Sequence, residues 1–371
     1  MSASQNYFLA LASIAIVLLW GVSFGNGTVT KMFSAVHHGW FEDGTPLKTN
    51  YTNIYILDLP LSLLVSFFFR GTNGMDYRYQ LFLVDAYATL QPAFVWLYVE
   101  SNRPGAKPFA VANPILWASL WQAFGAAIAL PLYYYHHLAW FAKSASQPLR
   151  QVPLTAACAI PFSFGFGAVL PAVIGMLPLW VDRSPITHEN ILAVWQLDPL
   201  WVSAIQWTVT FALSKPFCLR QGSSALSHCW IRASYLAAAV FSASGHVYVL
   251  VSTVSSSDPA WSMAAMYVPF VRTGGAGDAE KLLRGPWLFL QFDLIIIALA
   301  SLSWVYLLLC DLVGGQKLSG SRLVLALLTS LVLLGPGATV SLALFWREGL
   351  LEQLRKETRV DGVDGEKKGT S

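Results

Sequence analysis

Charged side chains are scarce in this sequence. They make up 12% of its 371 residues, against about 25% in a typical soluble domain, while 55% of the residues are hydrophobic. Lys and Arg are absent from four stretches that each exceed the roughly 20 residues a helix needs to cross hydrocarbon. These stretches are residues 108–142, 151–182, 233–271 and 323–346. So little charge cannot cover a water-facing surface, and the composition predicts an all-α, polytopic transmembrane helix bundle.

Several signatures of other protein classes are also missing. The net charge is only +3 and the basic residues are scattered, which argues against binding to a nucleic-acid backbone. The four cysteines show no CxxC spacing, so neither a zinc site nor a disulfide framework is indicated. The absence of an HExxH motif and of a DDxxD-like acidic cluster argues against magnesium-dependent diphosphate ionisation. The sequence therefore predicts no metal site.

Apolar runs separated by Gly, Pro and charged residues predict nine spans. They cover about 7–25, 54–70, 80–99, 113–135, 153–180, 192–213, 233–255, 285–310 and 323–346. The second and third contain acids and prolines, so eight spans are the alternative. We expect residues 1–349 to form the bundle and residues 350–371 to form a disordered, charged tail, because the tail has no apolar face.

Four acids inside predicted spans are the candidate catalytic residues: Asp85, Glu100, Asp198 and Asp293. An ionised side chain in hydrocarbon is costly unless it is paired, hydrated or neutralised, so each acid requires a physical reason. Donation of a proton by a neutral carboxylic acid is one such reason. Hydrogen bonding to another helix is the structural alternative.

Asp198 has aromatic neighbours. Trp195, Asp198 and Trp201 recur at i, i+3 and i+6 and are expected to share one helical face despite Pro199. Indole rings around the acid would favour its neutral form, and their π faces would stabilise a carbocation. Alternatively, Asp198 caps the backbone freed by Pro199 and the tryptophans belong to an interfacial belt.

The other acids have different surroundings. Asp85 and Glu100 would lie about 22 Å apart along a continuous third helix, so they cannot form one paired-carboxylate site. Glu100 is followed by Asn102 and Arg103, which are suited to pair with it at the end of the span. Asp293 lies well inside its span, where pairing with another helix competes with catalysis as its role.

Aromatic residues are abundant. They reach 14% of the chain and include 15 tryptophans, more than two membrane interfaces require. Trp117 and Trp121 form an i, i+4 pair on the fourth predicted span. Together with Trp195 and Trp201 they are candidate substrate-binding rings for a flexible isoprenoid, although lipid contact or core packing is the commoner role of any single ring.

Three further segments are informative as a set: ESNRPG (100–105), ALPLYYYHH (129–137) and WLFLQFDLIIIALASL (287–302). Together they resemble a family of fungal integral membrane terpene cyclases from meroterpenoid pathways, the group associated with macrophorin- and ascofuranone-type products. The resemblance implies a cyclase that protonates a terminal epoxide or alkene on a prenylated aromatic substrate and needs no metal or other cofactor. It carries Glu100 and Asp293 over as catalytic acids, with Asn102 and Arg103 as substrate-binding residues beside the first. It also implies a location in the endoplasmic reticulum.

Three other functions compete with the cyclase. A transporter would use the buried acids as a proton or ion pathway and would need a continuous polar track, but no internal repeat is evident. Another lipid- or sterol-modifying isomerase would use a similar acid and cavity, and a receptor or scaffold would keep the acids for structure alone. The expected partners of the cyclase are a hydrophobic prenylated small molecule and membrane lipid. A closed aromatic cavity with two or more of the acids on its wall would favour it.

Overall fold

The computed structural model describes residues 3–143, 151–214, 224–256, 262–270, 278–313 and 320–368. Apart from one isolated bridge between Trp40 and Pro46, the regular secondary structure of these residues is helical. The prediction of an all-α fold is therefore confirmed.

We number the longer helices α1 to α13. Their bounds are α1 Ala3–Gly25, α2 Thr28–His38, α3 Tyr55–Thr72, α4 Tyr77–Asn102, α5 Pro114–Phe124, α6 Ala126–Lys143, α7 Leu154–Leu179, α8 Pro185–Trp195, α9 Asp198–Leu213, α10 Ser224–Val254, α11 Asp278–Val313, α12 Gly320–Leu334 and α13 Pro336–Lys368. Two short helices, Phe109–Ala112 and Met263–Tyr267, lie in the connections. A π-helical turn interrupts α1 at Val17–Gly21, and another interrupts α7 at Ser163–Val169. Each π turn accommodates residues that a regular α-helix would place on a different face.

Six helices of the described chain are long and apolar enough to cross a membrane: α1, α3, α4, α7, α10 and α11. They coincide with the first, second, third, fifth, seventh and eighth predicted spans. Large apolar side chains such as Val17, Val240 and Leu299 are exposed on their outer faces, as expected for surfaces that contact lipid. By length and composition, six helices of the described residues are thus long enough to be spans, and the count of eight or nine stays a prediction.

The fourth, sixth and ninth predicted spans are each interrupted by a helix break. The fourth breaks at Gly125, which has a φ of 100°, and the ninth at Gly335, which has a φ of 83° and is followed by Pro336. The sixth breaks before Asp198, because Pro199 has no amide hydrogen with which to continue the preceding helix. Helix ends leave backbone N–H and C=O groups without helical partners, and here three pairs of helix ends lie inside segments predicted to be continuous.

α13 continues beyond residue 349, where the sequence predicted the end of the bundle. Leu350 and Leu351 are buried, and the helix extends to Lys368 although a disordered tail was expected from residue 350. The burial of these two leucines packs the first turn of this segment against the bundle. The composition of the whole segment is polar and did not indicate this contact. The division of the chain into a bundle and a tail stays a prediction.

Candidate active site

A cavity of about 590 Å³ lies within the ring formed by α1 to α5, α9 and α11. This volume is within the roughly 300–1,000 Å³ that small-molecule sites occupy. Aromatic rings make up much of its wall, among them Trp20, Phe67, Phe68, Tyr87, Trp121 and Phe289. Among the described residues that line it, Asp293 is the only Asp, Glu, Lys, Arg or His. The cavity therefore suits an apolar molecule and presents it with one carboxyl group.

Asp293 lies on α11 beside the helix break at Gly125. Its Oδ1 accepts a hydrogen bond of 2.7 Å from the backbone N–H of Ala127, in the first turn of α6. Gly125 permits this approach, because a Cβ at that position would lie 3.0 Å from Oδ1 and 2.6 Å from Cδ2 of Leu19. The backbone N–H of Ala126, next to Gly125, also hydrogen-bonds this carboxyl group. The start of α6 thus fixes the carboxyl group, while the side chain lines the cavity, where a bound molecule can reach it.

Asp198 is the first residue of α9 and is only 2% exposed. The side-chain amide of Gln91 donates to its Oδ2 at 3.3 Å, and that of Gln122 donates to its Oδ1 at 3.2 Å. Gln122 lines the cavity, whereas Asp198 does not. Asp198 is therefore one side chain behind the wall, held by two neutral amides.

The last turn of α5 connects the two acids. Gln122 binds Asp198, and Gly125, three residues further along, contacts Asp293. Three residues are less than one helical turn, so both carboxyl groups lie at a similar level of the bundle. The structure brings these two candidate acids together, with Asp293 on the wall and Asp198 behind it.

Glu100 lies in a buried charge cluster and not on the cavity wall. Its Oε2 accepts a hydrogen bond from Nε of Arg103 at 3.1 Å, and its Oε1 accepts one from Nη1 of Arg347 at 2.7 Å. Arg103 also forms an ion pair with Glu348. The predicted pairing of Glu100 with Arg103 is thus confirmed. Two guanidinium groups favour the ionised form of Glu100, which cannot donate a proton.

His137 connects this charge cluster to α11. Nε1–H of Trp304 donates to Nδ1 of His137 at 3.2 Å, so the neutral imidazole carries its proton on Nε2 and donates it to Glu100, also at 3.2 Å. Trp304 and Asp293 are about 16 Å apart along α11 at 1.5 Å per residue. The charge cluster and the acid of the cavity therefore occupy different levels of the bundle.

Asp85 belongs to a third group of polar side chains, at the break between α12 and α13. Its Oδ1 is 2.9 Å from Nδ1 of His246, and its Oδ2 accepts a 2.5 Å hydrogen bond from the hydroxyl of Tyr267. Nε2 of His246 lies 3.3 Å from the carbonyl oxygen of Val332, just before the break at Gly335. Asp85 thus orients the histidine that satisfies a backbone group at this break.

Trp121 lines the cavity, and Trp195 supports the wall from behind. The ring of Trp195 packs against that of Tyr87, with centroids 4.5 Å apart. Trp201 is 39% exposed and donates its Nε1–H to a backbone carbonyl of α8 at 3.0 Å. The prediction that Trp195 and Trp201 share a helical face with Asp198 is wrong, because the helix break separates the two rings.

Three predicted substrate-binding residues lie away from the cavity. Trp117 donates its Nε1–H to the carbonyl oxygen of Ala110 at 2.5 Å, and Asn102 donates its amide to that of Tyr98 at 2.8 Å. Arg103 is occupied by the charge cluster. All three make structural contacts in this fold.

Apart from Arg103, the sequence analysis did not identify the side chains that bind Asp198 and Glu100. Gln91 and Gln122 donate hydrogen bonds to Asp198. His137 and Arg347 donate hydrogen bonds to Glu100. The available signal was that each of these polar residues lies in or just after an apolar span. Which acid each one meets depends on how the helices pack. In the described residues, no group of three or more His, Cys, Asp or Glu is arranged to hold a metal ion.

The described residues thus form an all-helical bundle with one carboxyl group in a largely aromatic cavity. The chain belongs to the CtvD-domain family, since that domain matches residues 4–351. No solved structure matches the chain.

Curated relatives extend over nearly the whole chain. A terpene cyclase named DEP1 from Fusarium langsethiae is 30% identical over 93% of this chain and 98% of its own length. DEP1 of Alternaria brassicicola is 28% identical over 93% of this chain and 98% of its own length. The terpene cyclase ascI of Acremonium egyptiacum is 28% identical over 98% of this chain and 96% of its own length. The resemblance to fungal terpene cyclases is confirmed, and the protein is an enzyme that cyclises terpenoids.

Proposed function

We propose that this protein is a multi-pass membrane enzyme of the endoplasmic reticulum that cyclises the prenyl chain of a farnesylated aromatic intermediate, with Asp293 as the proton donor. The observation that carries this proposal is the position of Asp293 on the wall of a largely apolar, aromatic cavity, where no other described lining residue is Asp, Glu, Lys, Arg or His. Six helices of suitable length and hydropathy support the membrane location.

The surroundings of Asp293 suit a carboxylic acid that gives up its proton. A buried carboxyl group without a cationic partner is least costly in its neutral form. When the proton leaves, the N–H groups of Ala127 and Ala126 at the N-terminal end of α6 stabilise the carboxylate that remains. The same contacts thus fix the acid before the reaction and stabilise its conjugate base afterwards.

The proton adds either to a terminal epoxide oxygen, whose C–O bond then breaks, or to a terminal alkene carbon. The next double bond attacks the resulting carbocation, and each attack forms one C–C bond and moves the positive charge along the chain. Loss of a proton to a base, or capture by a hydroxyl group of the substrate, ends the cascade. In the case of hydroxyl capture, the oxonium that forms gives its proton to a base. No electrons are gained or lost overall, so this reaction needs no redox cofactor, and the carboxylic acid supplies the proton that starts it.

The aromatic wall next to Asp293 supports the cationic part of this reaction. Phe289 is one helical turn before Asp293, and its ring lies 5.3 Å from that of Phe67 and 5.8 Å from that of Trp20, centroid to centroid. The faces of such rings attract a cation, and a bound apolar substrate that displaces water from the cavity limits early quenching. The rings also restrict the conformations of a flexible chain before it reacts.

The other candidate acids have supporting roles in this proposal. Asp198 reaches the cavity only through Gln122, and we assign it the orientation of that amide. Glu100 and Asp85 stabilise the helix packing through Arg103 and His246. A transporter would require a continuous polar track, whereas the described lining is largely apolar and offers one ionisable group, which supports the enzyme.

Expression in a host that supplies a farnesylated phenol and its terminal epoxide tests this function. Wild-type membranes should convert one of the two compounds into a cyclic product, and Asp293→Asn membranes should not. Asp311→Asn is the matched control, because Asp311 lies on the same helix but is exposed. Wild-type membranes that leave both compounds unchanged would refute the proposed substrate class, and a fully active Asp293→Asn variant would refute the assignment of the donor.

A further inference from the structure

The cavity is continuous with the apolar outer surface of the bundle. Six of the described residues that line it are also exposed on the outside, and three of these are large apolar side chains: Phe24 at 62%, Phe33 at 50% and Leu200 at 50%. The other three are Pro60, Ser119 and Ala123. Phe24 is in the last turn of α1, Phe33 is on α2 and Leu200 is in the first turn of α9. Because the three large apolar side chains both line the cavity and are exposed, we define the mouth as the exposed part of the lining on α2 and on the first turn of α9.

α2 covers one side of this mouth as an amphipathic helix. Its apolar residues Val29, Met32 and Phe33 line the cavity, whereas Lys31 forms an ion pair of 2.6 Å with Glu42 in the loop that follows α2. This separation of apolar and charged side chains is typical of a helix at a boundary between an apolar and an aqueous phase.

The N-terminal end of α2 is packed tightly against the start of α11. A Cβ on Gly285 would lie only 2.0 Å from Oγ1 of Thr28, so no larger residue fits between the two helices. α2 is therefore a fixed cover at this end. The passage into the cavity lies beside the helix, where Phe33 and Leu200 are exposed.

The described lining of the cavity, including its mouth, offers no cationic partner to an anionic ligand. Without a Lys, Arg or His there, a diphosphate or a carboxylate would lose its hydration without gaining a counter-charge. A neutral, apolar chain loses little when it moves from lipid into an apolar cavity. The chemistry of the mouth therefore fits a lipid-dissolved molecule.

We propose that the mouth between α2 and the first turn of α9 is a lateral portal, through which the uncharged prenylated substrate enters from the lipid phase with its prenyl end first. This inference rests on the proposed function, because Asp293 must meet the terminal group of the prenyl chain. Asp293 is 5% exposed and lies beyond the mouth, whereas the polar side of α2 lies outside. The aromatic head of the substrate therefore follows the chain and stays nearest to α2.

Narrowing the portal tests the route of entry. Leu200→Trp should lower kcat/KM roughly tenfold for substrate supplied in phosphatidylcholine vesicles, mainly by raising KM, because the larger ring fills the passage. Leu299→Trp is the matched control: Leu299 is also 50% exposed, but it lies on α11 and does not line the cavity. Equal values of kcat/KM for the two variants would overturn the portal.

A photoreactive substrate gives a readout that does not depend on turnover. We would add a farnesylated phenol with a diazirine on its aromatic ring to vesicles that contain the Asp293→Asn protein, and map the labelled peptides by mass spectrometry. Labels should concentrate on α2 and the first turn of α9, and competition by unlabelled substrate should remove them. Specific labels confined to other helices would overturn the portal even if the wild type forms product. Labels at the portal without any product from the wild type would instead refute the proposed reaction.

Discussion

The backbone N–H of Ala127 donates a 2.7 Å hydrogen bond to Oδ1 of Asp293. The contact joins the first turn of α6 to the middle of α11, and it exists because the helix breaks at Gly125. A continuous helix would use the Ala127 N–H within its own backbone ladder. Because of the break, the Ala127 N–H is free of the helix ladder and donates to Asp293 instead.

Asp293→Asn should abolish most of the cyclase activity and leave the fold intact. The amide keeps the size of the side chain and an oxygen that accepts from Ala127, but it has no acidic proton. Loss of a positioned general acid costs roughly 10²–10⁴-fold in rate. Initial rates of product formation, normalised to folded protein, measure this effect. A rate near that of the wild type would assign the proton to another group.

Asp198→Asn should have a smaller effect, a loss of roughly tenfold or less, because the altered group does not line the cavity. The amides of Gln91 and Gln122 can rotate to present their oxygens to the new amide, so the local hydrogen bonds can be rebuilt. Measuring both variants in the same membranes ranks the two acids. If Asp198→Asn proved as damaging as Asp293→Asn, then Asp198 would itself take part in proton transfer.

Gly125→Ala should reduce both stability and activity. The φ of 100° is strained for alanine, and its Cβ would meet Leu19 and the Asp293 carboxyl group. Gly105→Ala is a control for the strain alone, since Gly105 has a φ of 120° and a Cβ there would touch nothing within 4 Å. We expect a loss of about 1–2 kcal/mol in free energy of unfolding for the control and a larger loss for Gly125→Ala. Denaturation in detergent combined with rate measurements would show whether only Gly125→Ala impairs catalysis.

Glu100→Gln should destabilise the protein by about 3–5 kcal/mol, because it leaves the buried guanidinium groups of Arg103 and Arg347 without a full counter-charge. Glu352→Gln serves as the comparison, since Glu352 is partly exposed and its ion pairs are 3.5 and 3.9 Å long, so its loss should cost at most about 1 kcal/mol. Thermal unfolding in detergent gives both values. The folded fraction of Glu100→Gln should keep its activity, and a stable but inactive variant would instead place Glu100 in the reaction.

The fold class could be predicted because it depends on composition. Long apolar runs without Lys or Arg predict helices wherever they occur, and six of the predicted spans correspond to helices long enough to cross a membrane. The breaks at Gly125 and Gly335 were not predicted, since a glycine inside an apolar run is also compatible with a continuous helix. Its positive φ is decided by the neighbouring helices.

The candidate site could be predicted only in part. The rarity of acids in apolar spans was enough to select Asp293 and Asp198, which the structure places at the same level of the bundle. Rarity does not distinguish them from Glu100, because its partner Arg347 is distant in sequence and becomes a neighbour only through packing. The same limit applies to the tryptophans, since a helical wheel assumes an unbroken helix.

The π-helical turn at Val17–Gly21 sets the rotation of one end of α1 relative to the other. Before the turn, the hydroxyl of Tyr7 hydrogen-bonds that of Ser303 at 2.9 Å, and within it Trp20 donates to the carbonyl oxygen of Phe124 at 2.9 Å. Each residue turns an α-helix by about 100°, so a chain one residue shorter here would rotate one end of α1 relative to the other by that angle. After such a deletion, α1 could keep the hydrogen bond from Tyr7 to Ser303 or the one from Trp20 to Phe124, but not both.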